Sequence, residues 1–505
     1  MPLQIEITPE FKEAFELVCN SKQHLFITGN AGTGKSTLLD YCRRNCKKNL
    51  VILAPTGVAA LNVQGQTIHR FFGFPVNVTP EKIKNFQILP RAKRIYKQLQ
   101  TLIIDEASML RADLLDCIDT FLRLYGPDGE QSFGGVQLVL VGDLYQLPPV
   151  ISSAERSFFA SRYETPYFFS AEVFRSVSLR IVELTKIYRQ KDNEFIELLS
   201  RIRHNTAADA DIKALNARLH APLPGGFCIS LTTTNQMADK INIAGLNRID
   251  APSYLSRAIV DGSFKPEYYP TAEELELKTG AQIMFLNNDM KGRWVNGSLG
   301  LIEEIKIGPE KIRFLRVRLQ DNQKLVDVFP YTWEIYKFSL NGKEIISEPA
   351  GSFTQFPLRL AWAVTIHKSQ GKTFDRLRLD IGSGTFAAGQ LYVALSRCTS
   401  FEGLSLEKPV SFAHILSDER IVEFMRRHTG DGALTNEEKI HLLQKAALSR
   451  QKLEILYRKT NGETSRRIII PTHIKGENVQ AFCVQRQQQR SFNISRIDML
   501  KTFIE

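Results

Sequence analysis

Short apolar runs alternate with segments of helical periodicity in the first third of the chain, and each run ends at a polar or glycine-containing loop. Helices are predicted at residues 37–48 and 107–125. The predicted strands are residues 25–28, 51–54, 102–105 and 138–142. This alternation is typical of a parallel sheet with crossover helices, so the pattern predicts an α/β domain.

A second set of apolar runs predicts a second α/β domain, with strands at residues 181–184, 228–231, 361–364 and 377–380. It is interrupted between residues 280 and 351, where the turn signals Asn287-Asn288, Asn296-Gly297 and Asn341-Gly342 separate shorter runs. These runs are residues 282–286, 299–305, 312–319 and 325–328. Their close spacing predicts a small β-barrel inserted into the second domain.

The last part of the chain has a different pattern. Helical periodicity follows Phe412, and alternating strands are predicted around residues 468–470 and 479–484. Residues 451–505 contain ten Lys and Arg against five Asp and Glu, so they supply +5 of the chain's formal charge of +11. This tail is predicted to be a separate basic module.

Composition narrows the class of protein. A length of 505 residues predicts several domains, and no apolar run approaches the ~20 residues of a membrane helix. The N-terminus lacks the pattern of a secretion signal, so we expect a cytoplasmic protein with no membrane partner, and the seven scattered cysteines predict reduced thiols without zinc. The positive charge favours a polyanionic partner, although a solvated basic surface explains it equally well.

A phosphate-binding loop is predicted between the first strand and the first helix. Its glycines turn backbone amides toward a phosphate, Lys35 reaches the β- and γ-phosphates of ATP, and the Ser36 hydroxyl is a ligand for Mg²⁺. The predicted nucleotide-binding residues are Gly29, Asn30, Ala31, Gly32, Thr33, Gly34, Lys35, Ser36 and Thr37.

Polar residues at the ends of two further strands complete the expected phosphate chemistry. Asp105 is predicted to hold Mg²⁺ through water, and Glu106 to accept the proton of the attacking water. Gln146 in the run Gly142-Asp143-Leu144-Tyr145-Gln146 is a candidate sensor of the γ-phosphate, although for an isolated glutamine a loop amide is the better interpretation. Arg189 and Arg397 are candidate arginine fingers, both expected to reach the nucleotide from the second domain.

Taken in order, the motifs resemble those of superfamily 1B DNA helicases, most closely the Pif family. Beyond the nucleotide motifs, the resemblance rests on the runs Ala54 to Ala60, Thr67 to Gly73, Val364 to Gly371 and Tyr392 to Arg397, together with the stretch from Glu183 to Arg203. It implies two RecA-like P-loop NTPase domains that hydrolyse ATP between them. It also implies 5′ to 3′ movement on single-stranded DNA.

The resemblance implies roles for further residues. Gln370 and Gly371 correspond to the place where the nucleotide and DNA sites communicate. The DNA-binding residues implied by matching loops are Pro55, Thr56, Gly57, Thr67, His69, Phe71, Asn235, Thr365, His367, Lys368 and Ser369. For Phe71 and Phe72, a packed helix face is as good an interpretation as base stacking.

The implied domain organisation is as follows: a motor domain 1A at residues 1–180, with a small wedge insertion 1B at about 62–86; a motor domain 2A at 181–279 and 352–430; a Src-homology-type barrel 2B at 280–351; a helical linker at 431–449; and a WYL-like α+β module at 450–505. Two departures from these families stand out. A glutamine that reads adenine is missing before the phosphate loop, and Ala481-Phe482-Cys483 replaces the Trp-Tyr-Leu run.

The expected protein is thus an ATP-dependent helicase of genome maintenance, nucleoid-associated in a bacterium, that acts on single-stranded, forked, duplex or G-quadruplex DNA. We expect a monomer in solution, with a possible DNA-induced dimer. Two alternatives stay open: a nucleotide-switched scaffold or regulator, and an ATPase module of a RecD-like nuclease complex. An intact set of Glu106, Arg189 and Arg397 argues against the first.

Overall fold

The computed structural model describes residues 6–75, 78–85, 90–151, 155–190, 192–223, 225, 227–307, 312–320, 322–342, 344–429, 436–449, 451–459 and 464–502. The chain forms two compact units, residues 1–421 and 422–505. No helix within the described ranges is long and apolar enough to cross a membrane.

The strands are numbered in chain order. Their bounds are Leu25–Gly29 (β1), Leu50–Ala54 (β2), Gln66–Thr67 (β3), Thr101–Ile104 (β4), Gln137–Val141 (β5), Arg180–Leu184 (β6), Ile229–Thr232 (β7), Tyr254–Arg257 (β8), Ile259–Gly262 (β9), Glu274–Leu277 (β10), Gln282–Phe285 (β11), Leu299–Ile307 (β12), Ile312–Leu319 (β13), Leu325–Val328 (β14), Tyr331–Asn341 (β15), Glu344–Gln355 (β16), Leu358–Leu360 (β17), Ala363–Thr365 (β18), Leu377–Asp380 (β19), Leu404–Leu406 (β20), Leu453–Arg458 (β21), Thr464–Lys475 (β22), Asn478–Cys483 (β23), Gln488–Asn493 (β24) and Ile497–Thr502 (β25).

The α-helices are numbered in the same way. Their bounds are Pro9–Asn20 (α1), Lys35–Asn45 (α2), Gly57–Asn62 (α3), Ile68–Phe72 (α4), Pro80–Lys84 (α5), Pro90–Gln98 (α6), Ala112–Tyr125 (α7), Arg156–Arg162 (α8), Asn193–Arg203 (α9), Asp209–Asn216 (α10), Asn235–Asn247 (α11), Gln390–Leu395 (α12), Glu419–Thr429 (α13) and Asn436–Ser449 (α14). Short 3₁₀ turns lie at Ala107–Met109, Ser132–Gly135, Phe168–Ser170, Glu172–Arg175, Pro266–Tyr268, His367–Ser369, Phe412–His414, Val484–Arg486 and Ile494–Arg496.

A six-stranded sheet forms the first half of unit 1, in the order β3-β2-β4-β5-β1-β6, and every pairing in it is parallel. Helix α1 shows how the sequence builds the layer that covers it. The Thr8 side chain caps the helix by accepting from the Phe11 amide, and Phe11, Ala14 and Val18 recur at helical spacing. These side chains pack with Leu25 and other strand residues in one core.

Two details of the first domain differ from the sequence prediction. Residues 181–184 were assigned to the second sheet, which is wrong because β6 pairs with β1 in the first sheet. Val182 and Leu184 alternate into the same core as Leu25, and this burial decides the sheet. The predicted helix 107–125 is divided, since a 3₁₀ turn at Ala107–Met109 precedes α7.

A four-stranded parallel sheet, in the order β18-β7-β19-β20, forms the second α/β domain. The predicted strand 361–364 is shifted, because β17 and β18 belong to different sheets and Ala361 and Trp362 connect them. Helices α9 and α12 contribute Phe195, Leu391 and Leu395 to the buried core of this domain.

An antiparallel module interrupts the second domain. A five-stranded sheet in the order β14-β13-β12-β11-β17 lies beside a three-stranded sheet in the order β15-β16-β9 and the antiparallel pair of β8 and β10. Strands β8, β9, β10 and β17 belong to this module but lie outside residues 280–351, the range of the predicted insertion. The predicted domain bounds as a whole stay predictions.

Unit 2 contains its own antiparallel sheet, in the order β24-β23-β22-β21-β25. Leu443 and Ala446 of α14 pack on Ile455, Ile469 and Val479 to form its core.

Candidate nucleotide and DNA site

The predicted phosphate-binding loop joins β1 to α2 at the carboxyl edge of the first sheet. Gly29, Gly32 and Gly34 have φ values of 147°, 86° and 87°, a region that side chains rarely adopt. A Cβ atom on Gly32 would also lie 2.5 Å from the Cβ of Arg189. Glycine is therefore required for both backbone conformation and close approach, as the motif predicts.

Lys35 spans the mouth of this loop. Its Nζ donates to the carbonyl oxygens of Gly29 and Asn30 at 2.8 and 2.9 Å. Burial lowers the pKa of Lys35, and the negative charges of Asp143 and Glu106 oppose that shift. The Lys35 ammonium group can exchange these two carbonyl oxygens for phosphate oxygens by rotation of its side chain, without a movement of the Lys35 backbone.

Asp105 and Glu106 follow β4 and lie side by side, both partly buried. Glu106 has a φ of 51°, a strained value that turns its side chain out of the strand direction. Burial, followed by the charge of Glu106, raises the pKa of Asp105 to about 7. Burial also raises the pKa of Glu106, while Lys35 and Arg397 oppose that shift. Two adjacent, partly buried carboxylates favour a cation between or beside them.

Gln370 connects the two α/β domains at this point. Its Nε2 donates to Glu106 Oε2 at 2.9 Å and to Gln146 Oε1 at 3.3 Å. Gln146 in turn donates from Nε2 to Asp143 Oδ2 at 3.3 Å. The structure thus brings together three residues that were predicted from three separate motifs.

Arg189 lies on the first domain's side of the cleft, not on the second domain's side as predicted. It follows β6, and the Tyr188 amide donates to the Gly32 carbonyl at 2.9 Å. Its guanidinium donates across the cleft to the carbonyl oxygens of Ser396 and Gly371 at 3.3 and 3.4 Å. The prediction failed because it followed from the wrong sheet assignment of residues 181–184.

Arg397 reaches the same cleft from the second domain. Its side chain is 1% exposed, and its Nε and Nη2 donate to Val393 O and Ser396 Oγ, both at 2.9 Å. Burial and then the charge of Arg189 lower the pKa of Arg397 to about 9. Two neighbouring arginines are a donor set suited to a strongly negative group.

Three buried residues belong to this site although the sequence analysis gave them no role. The Tyr392 hydroxyl accepts from the Ala31 amide at 3.2 Å and donates to Asp143 Oδ2 at 3.3 Å. Arg203 pairs with Asp143 Oδ1 at 3.0 Å, and both side chains are almost fully buried. Asp143 and Tyr392 lie within quoted motifs, and Arg203 is the last residue of the quoted stretch from Glu183, but none of these patterns indicates a contact with Asp143.

The first group of predicted DNA-binding residues lies at one edge of the first sheet. Strands β2 and β3 end together, since Ala54 pairs with Thr67; Pro55 follows β2, and Gly57 begins α3. The hydroxyls of Thr56 and Thr67 cap α3 and α4 by accepting from backbone amides, both at 3.3 Å. His69 lies on α4, and burial lowers its pKa.

Phe71 does not fit a stacking role in this structure. It is 8% exposed and packs edge-to-face against Phe72, Tyr96 and Phe338, with ring centroids 4.9 to 5.6 Å apart. The aromatic pattern of the motif reflects core packing at this position, which leaves little ring surface for a nucleobase.

The second group lies at the corresponding edge of the second sheet. Strands β7 and β18 end at the paired residues Thr232 and Thr365, and Asn235 begins the helix after β7. Thr365 Oγ1 accepts from the Lys368 amide at 3.3 Å. Ser369 is fully buried, and its hydroxyl donates to the Ile366 carbonyl at 2.7 Å. Ser369 therefore shapes this loop from within.

An exposed aromatic residue beside this group had escaped the sequence analysis. The rings of His367 and Phe386 stack at 6.2 Å with an interplanar angle of 13°, and Phe386 is 62% exposed. Phe386 lies outside the quoted motifs, so only the structure identifies this aromatic surface.

The folded chain and its motifs agree with comparisons to known proteins. A family model described as PIF1-like helicase matches residues 4–212, and a WYL domain model matches residues 438–502. An ATP-dependent DNA helicase Pif1 of Bdellovibrio bacteriovorus is 33% identical over 445 residues, which cover 85% of this chain and 94% of that protein.

Solved structures give the same assignment. Bacteroides sp Pif1 in complex with ADP-AlF4 shares 35% sequence identity at a TM-score of 0.78, over 85% of this chain and 98% of that one. Bacteroides Pif1 bound to ssDNA shares 36% identity over the same fractions, at a TM-score of 0.62. The chain therefore belongs to the PIF1-like helicase family and ends in a WYL domain.

Proposed function

We propose that this protein is an ATP-dependent DNA helicase that moves 5′ to 3′ on single-stranded DNA. The observation that carries the proposal is the contact of Gln370 with Glu106 and Gln146, because it joins the predicted hydrolytic base to a loop with predicted DNA contacts. Its substrates are duplex, forked or G-quadruplex DNA in replication, repair, recombination or telomere-type processes, in association with a bacterial nucleoid. The polarity and these substrates rest on the family resemblance.

The buried side chains of the cleft support a division of labour in ATP hydrolysis. Gly29 to Thr37 cradle the phosphates, and Lys35 exchanges its two carbonyl partners for phosphate oxygens. Glu106 accepts a proton from the attacking water, and Gln146 and Gln370 orient that water and report the γ-phosphate to the second domain. Arg189 and Arg397 neutralise the charge that develops on the transferred phosphate.

The residues present also fit Mg²⁺. Asp105 and Glu106 are neighbouring, partly buried carboxylates whose pKa values are raised, and the buried oxygens Thr28 Oγ1 and Asn30 Oδ1 have no partner within the described structure. Ser36 and Asp105 would hold the ion, Asp105 through water. When bound, Mg²⁺ would neutralise charge on the β- and γ-phosphates.

Loops at the carboxyl ends of both sheets would bind the strand through its phosphates. Pro55, Thr56, Gly57, Thr67 and His69 form the contact surface of the first domain. Asn235, Thr365, His367 and Lys368 form that of the second domain, and Ser369 orders their loop. Hydroxyl, amide and imidazole groups contact phosphate without reading base sequence, so low sequence preference is expected.

The WYL module would add DNA affinity. Arg466, Arg486, Arg490 and Arg496 are exposed on or beside β22 to β25. Substitution of Arg486 and Arg490 by Gln removes two positive charges. It should weaken DNA binding at moderate salt more than Glu477→Gln does. Equal affinities at every salt concentration would exclude this role.

Polarity and activity are tested together with fluorescent partial duplexes that carry either a 5′ or a 3′ single-stranded tail. We expect unwinding of the 5′-tailed duplex with ATP and none with a non-hydrolysable analogue. Lys35→Ala should abolish turnover, and Glu106→Gln should bind ATP without hydrolysing it. Preference for the 3′ tail would refute the polarity, and slow, DNA-independent turnover would favour a switch over a motor.

Mass photometry with and without forked DNA tests the proposed monomer and DNA-induced dimer.

A further inference from the structure

Three basic side chains converge where the Gln370 loop meets the antiparallel module. We call Arg359, Lys368 and Lys372 the junction cluster. Arg359 lies in β17 opposite Met284, and Met284 packs in the core of the second α/β domain. Leu358 and the neighbouring strand residues pack instead in the core of the antiparallel module. Because side chains alternate along a strand, Arg359 lies on the α/β side of its sheet.

Lys372 touches both structures that meet there. Its Nζ forms a short hydrogen bond to Asn296 Oδ1, in the turn between β11 and β12. A Cβ atom on Gly297, in the same turn, would lie 3.4 Å from the Lys372 Cβ. The backbone carbonyl of Lys372 accepts from Arg397 Nη1 at 3.5 Å. One residue therefore contacts the arginine of the nucleotide cleft and the edge of the module.

Within the described part of the chain, no salt bridge joins a carboxylate to Arg359, Lys368 or Lys372. Arg359 Nε is buried without a hydrogen-bond partner, while Nη2 donates to the Pro270 carbonyl at 2.6 Å. The charge of Arg359 lowers the pKa of both Lys368 and Lys372, with burial as the larger cause in each case. The charge of Asp239 opposes the lowering of the Lys368 pKa.

Cations that are partly buried near one another, as Arg359 and Lys372 are, are costly unless an anion joins them, whereas Lys368 is exposed beside them. A guanidinium fork and two ammonium groups are the donor set that proteins use for phosphate. The nucleotide phosphates are already served by Gly29 to Ser36, on the other side of Gln370. The Lys372 side chain runs away from that cleft, toward Asn296.

From this geometry we propose that the junction cluster binds one backbone phosphate of the single strand, a contact that no motif assigns to Arg359 or Lys372. The proposal rests on the proposed function, since it names an additional part of the same DNA path. A phosphate here would compensate the three charges and connect the antiparallel module to the loop of Gln370. Binding of DNA to the Lys372 side chain would then change the position of the Lys372 carbonyl oxygen, to which Arg397 donates.

Salt dependence tests this proposal on the full chain. The dissociation constant of a fluorescent oligothymidylate is measured over a series of NaCl concentrations for the wild type, Lys372→Met, Lys372→Arg and the exposed control Lys324→Met. Each phosphate contact to a single strand contributes about 0.7 to the slope of log K against log[salt]. We expect Lys372→Met to lower that slope by about 0.7, and Lys372→Arg and Lys324→Met to retain it. Thermal unfolding confirms that each variant is folded.

A weaker affinity with an unchanged slope would indicate packing and overturn the proposal. So would a variant that raises the KM for ATP without changing the slope, since the site would then serve the nucleotide. As a second readout, single neutral methylphosphonate linkages are placed in turn along the strand. One position should weaken wild-type binding but leave Lys372→Met unaffected, and the absence of such a position contradicts the site. Failure of the wild type itself to bind or unwind DNA would instead refute the proposed function.

Discussion

The side-chain amide of Gln370 donates to the carboxylate of Glu106 at 2.9 Å, although the two residues follow strands of different parallel sheets. Glu106 is partly buried, and burial raises its pKa, so the contact is made to a group whose charge depends on what surrounds it. The second domain thereby contacts the predicted base directly. Movement of the Gln370 loop must change the environment of Glu106 at the same time.

This relationship predicts that Gln370→Ala impairs turnover of ATP. Hydrogen bonds to charged groups contribute about 1.5–3 kcal/mol, which corresponds to a decrease of roughly 10- to 100-fold. Steady-state ATPase assays at saturating single-stranded DNA measure the effect. Gln323→Ala, which changes an exposed amide in the antiparallel module, is the matched control. Equal turnover in the two variants would mean that the contact has no role in hydrolysis.

The buried pair of Arg203 and Asp143 predicts a pH-dependent loss of stability. The charge of Arg203 helps to keep the pKa of Asp143 below its ordinary 3.8, even though burial opposes this. A carboxylate with a depressed pKa stabilises the fold above its unfolded pKa, and that contribution is lost as the pH falls through the folded value. Arg203→Met leaves Asp143 uncompensated, so the free energy of unfolding should fall by about 3–5 kcal/mol at pH 7.

Urea unfolding at pH 7 and near pH 4 tests this. The difference between wild type and Arg203→Met should shrink at the lower pH, where protonation removes the uncompensated charge in the variant. Arg257→Met removes an exposed pair with Glu274 and should cost less than ~1 kcal/mol at either pH. A pH-independent difference would indicate lost packing around Arg203 and not charge.

Local pattern predicted most of the two parallel sheets. Continuous apolar runs bounded by turns mark buried strands, so β1, β2, β4, β5 and β19 were located within one or two residues. The phosphate loop was equally accessible, because its glycines and Lys35 act within eight consecutive positions. The conformation of one continuous segment can therefore be predicted from the residues of that segment alone.

The pairing of strands that are distant in the chain could not be predicted from local sequence patterns. The run at 181–184 is compatible with either sheet, and only its burial against Leu25 decides which one, so the side from which Arg189 acts was predicted wrongly. The hairpin of β15 and β16 escaped prediction because Pro349 and Gly351 interrupt its second strand. Arg203 and Tyr392 acquire roles only when three elements meet at Asp143.

Tyr392 predicts an effect on nucleotide affinity. Its hydroxyl bridges the Ala31 amide in the phosphate loop and Asp143. Tyr392→Phe removes both hydrogen bonds and keeps the ring, at about 0.5–1.5 kcal/mol for each bond. Affinity for a fluorescent ADP analogue should therefore fall by roughly 5- to 150-fold, whereas Tyr331→Phe, an exposed tyrosine, should leave it unchanged. Retained affinity would show that the loop is held without this bridge.

The contrast between Phe386 and Phe71 predicts opposite phenotypes for the same chemical change. Phe386 is 62% exposed beside His367, so Phe386→Ala should weaken single-stranded DNA binding by about 1–3 kcal/mol with little loss of stability. Phe71 is packed among Phe72 and Tyr96, so Phe71→Ala should instead lower the free energy of unfolding by about 3–5 kcal/mol. Fluorescence anisotropy and urea unfolding of both variants separate the two effects. If Phe71→Ala stays stable and loses DNA affinity, its ring must leave the core when DNA binds.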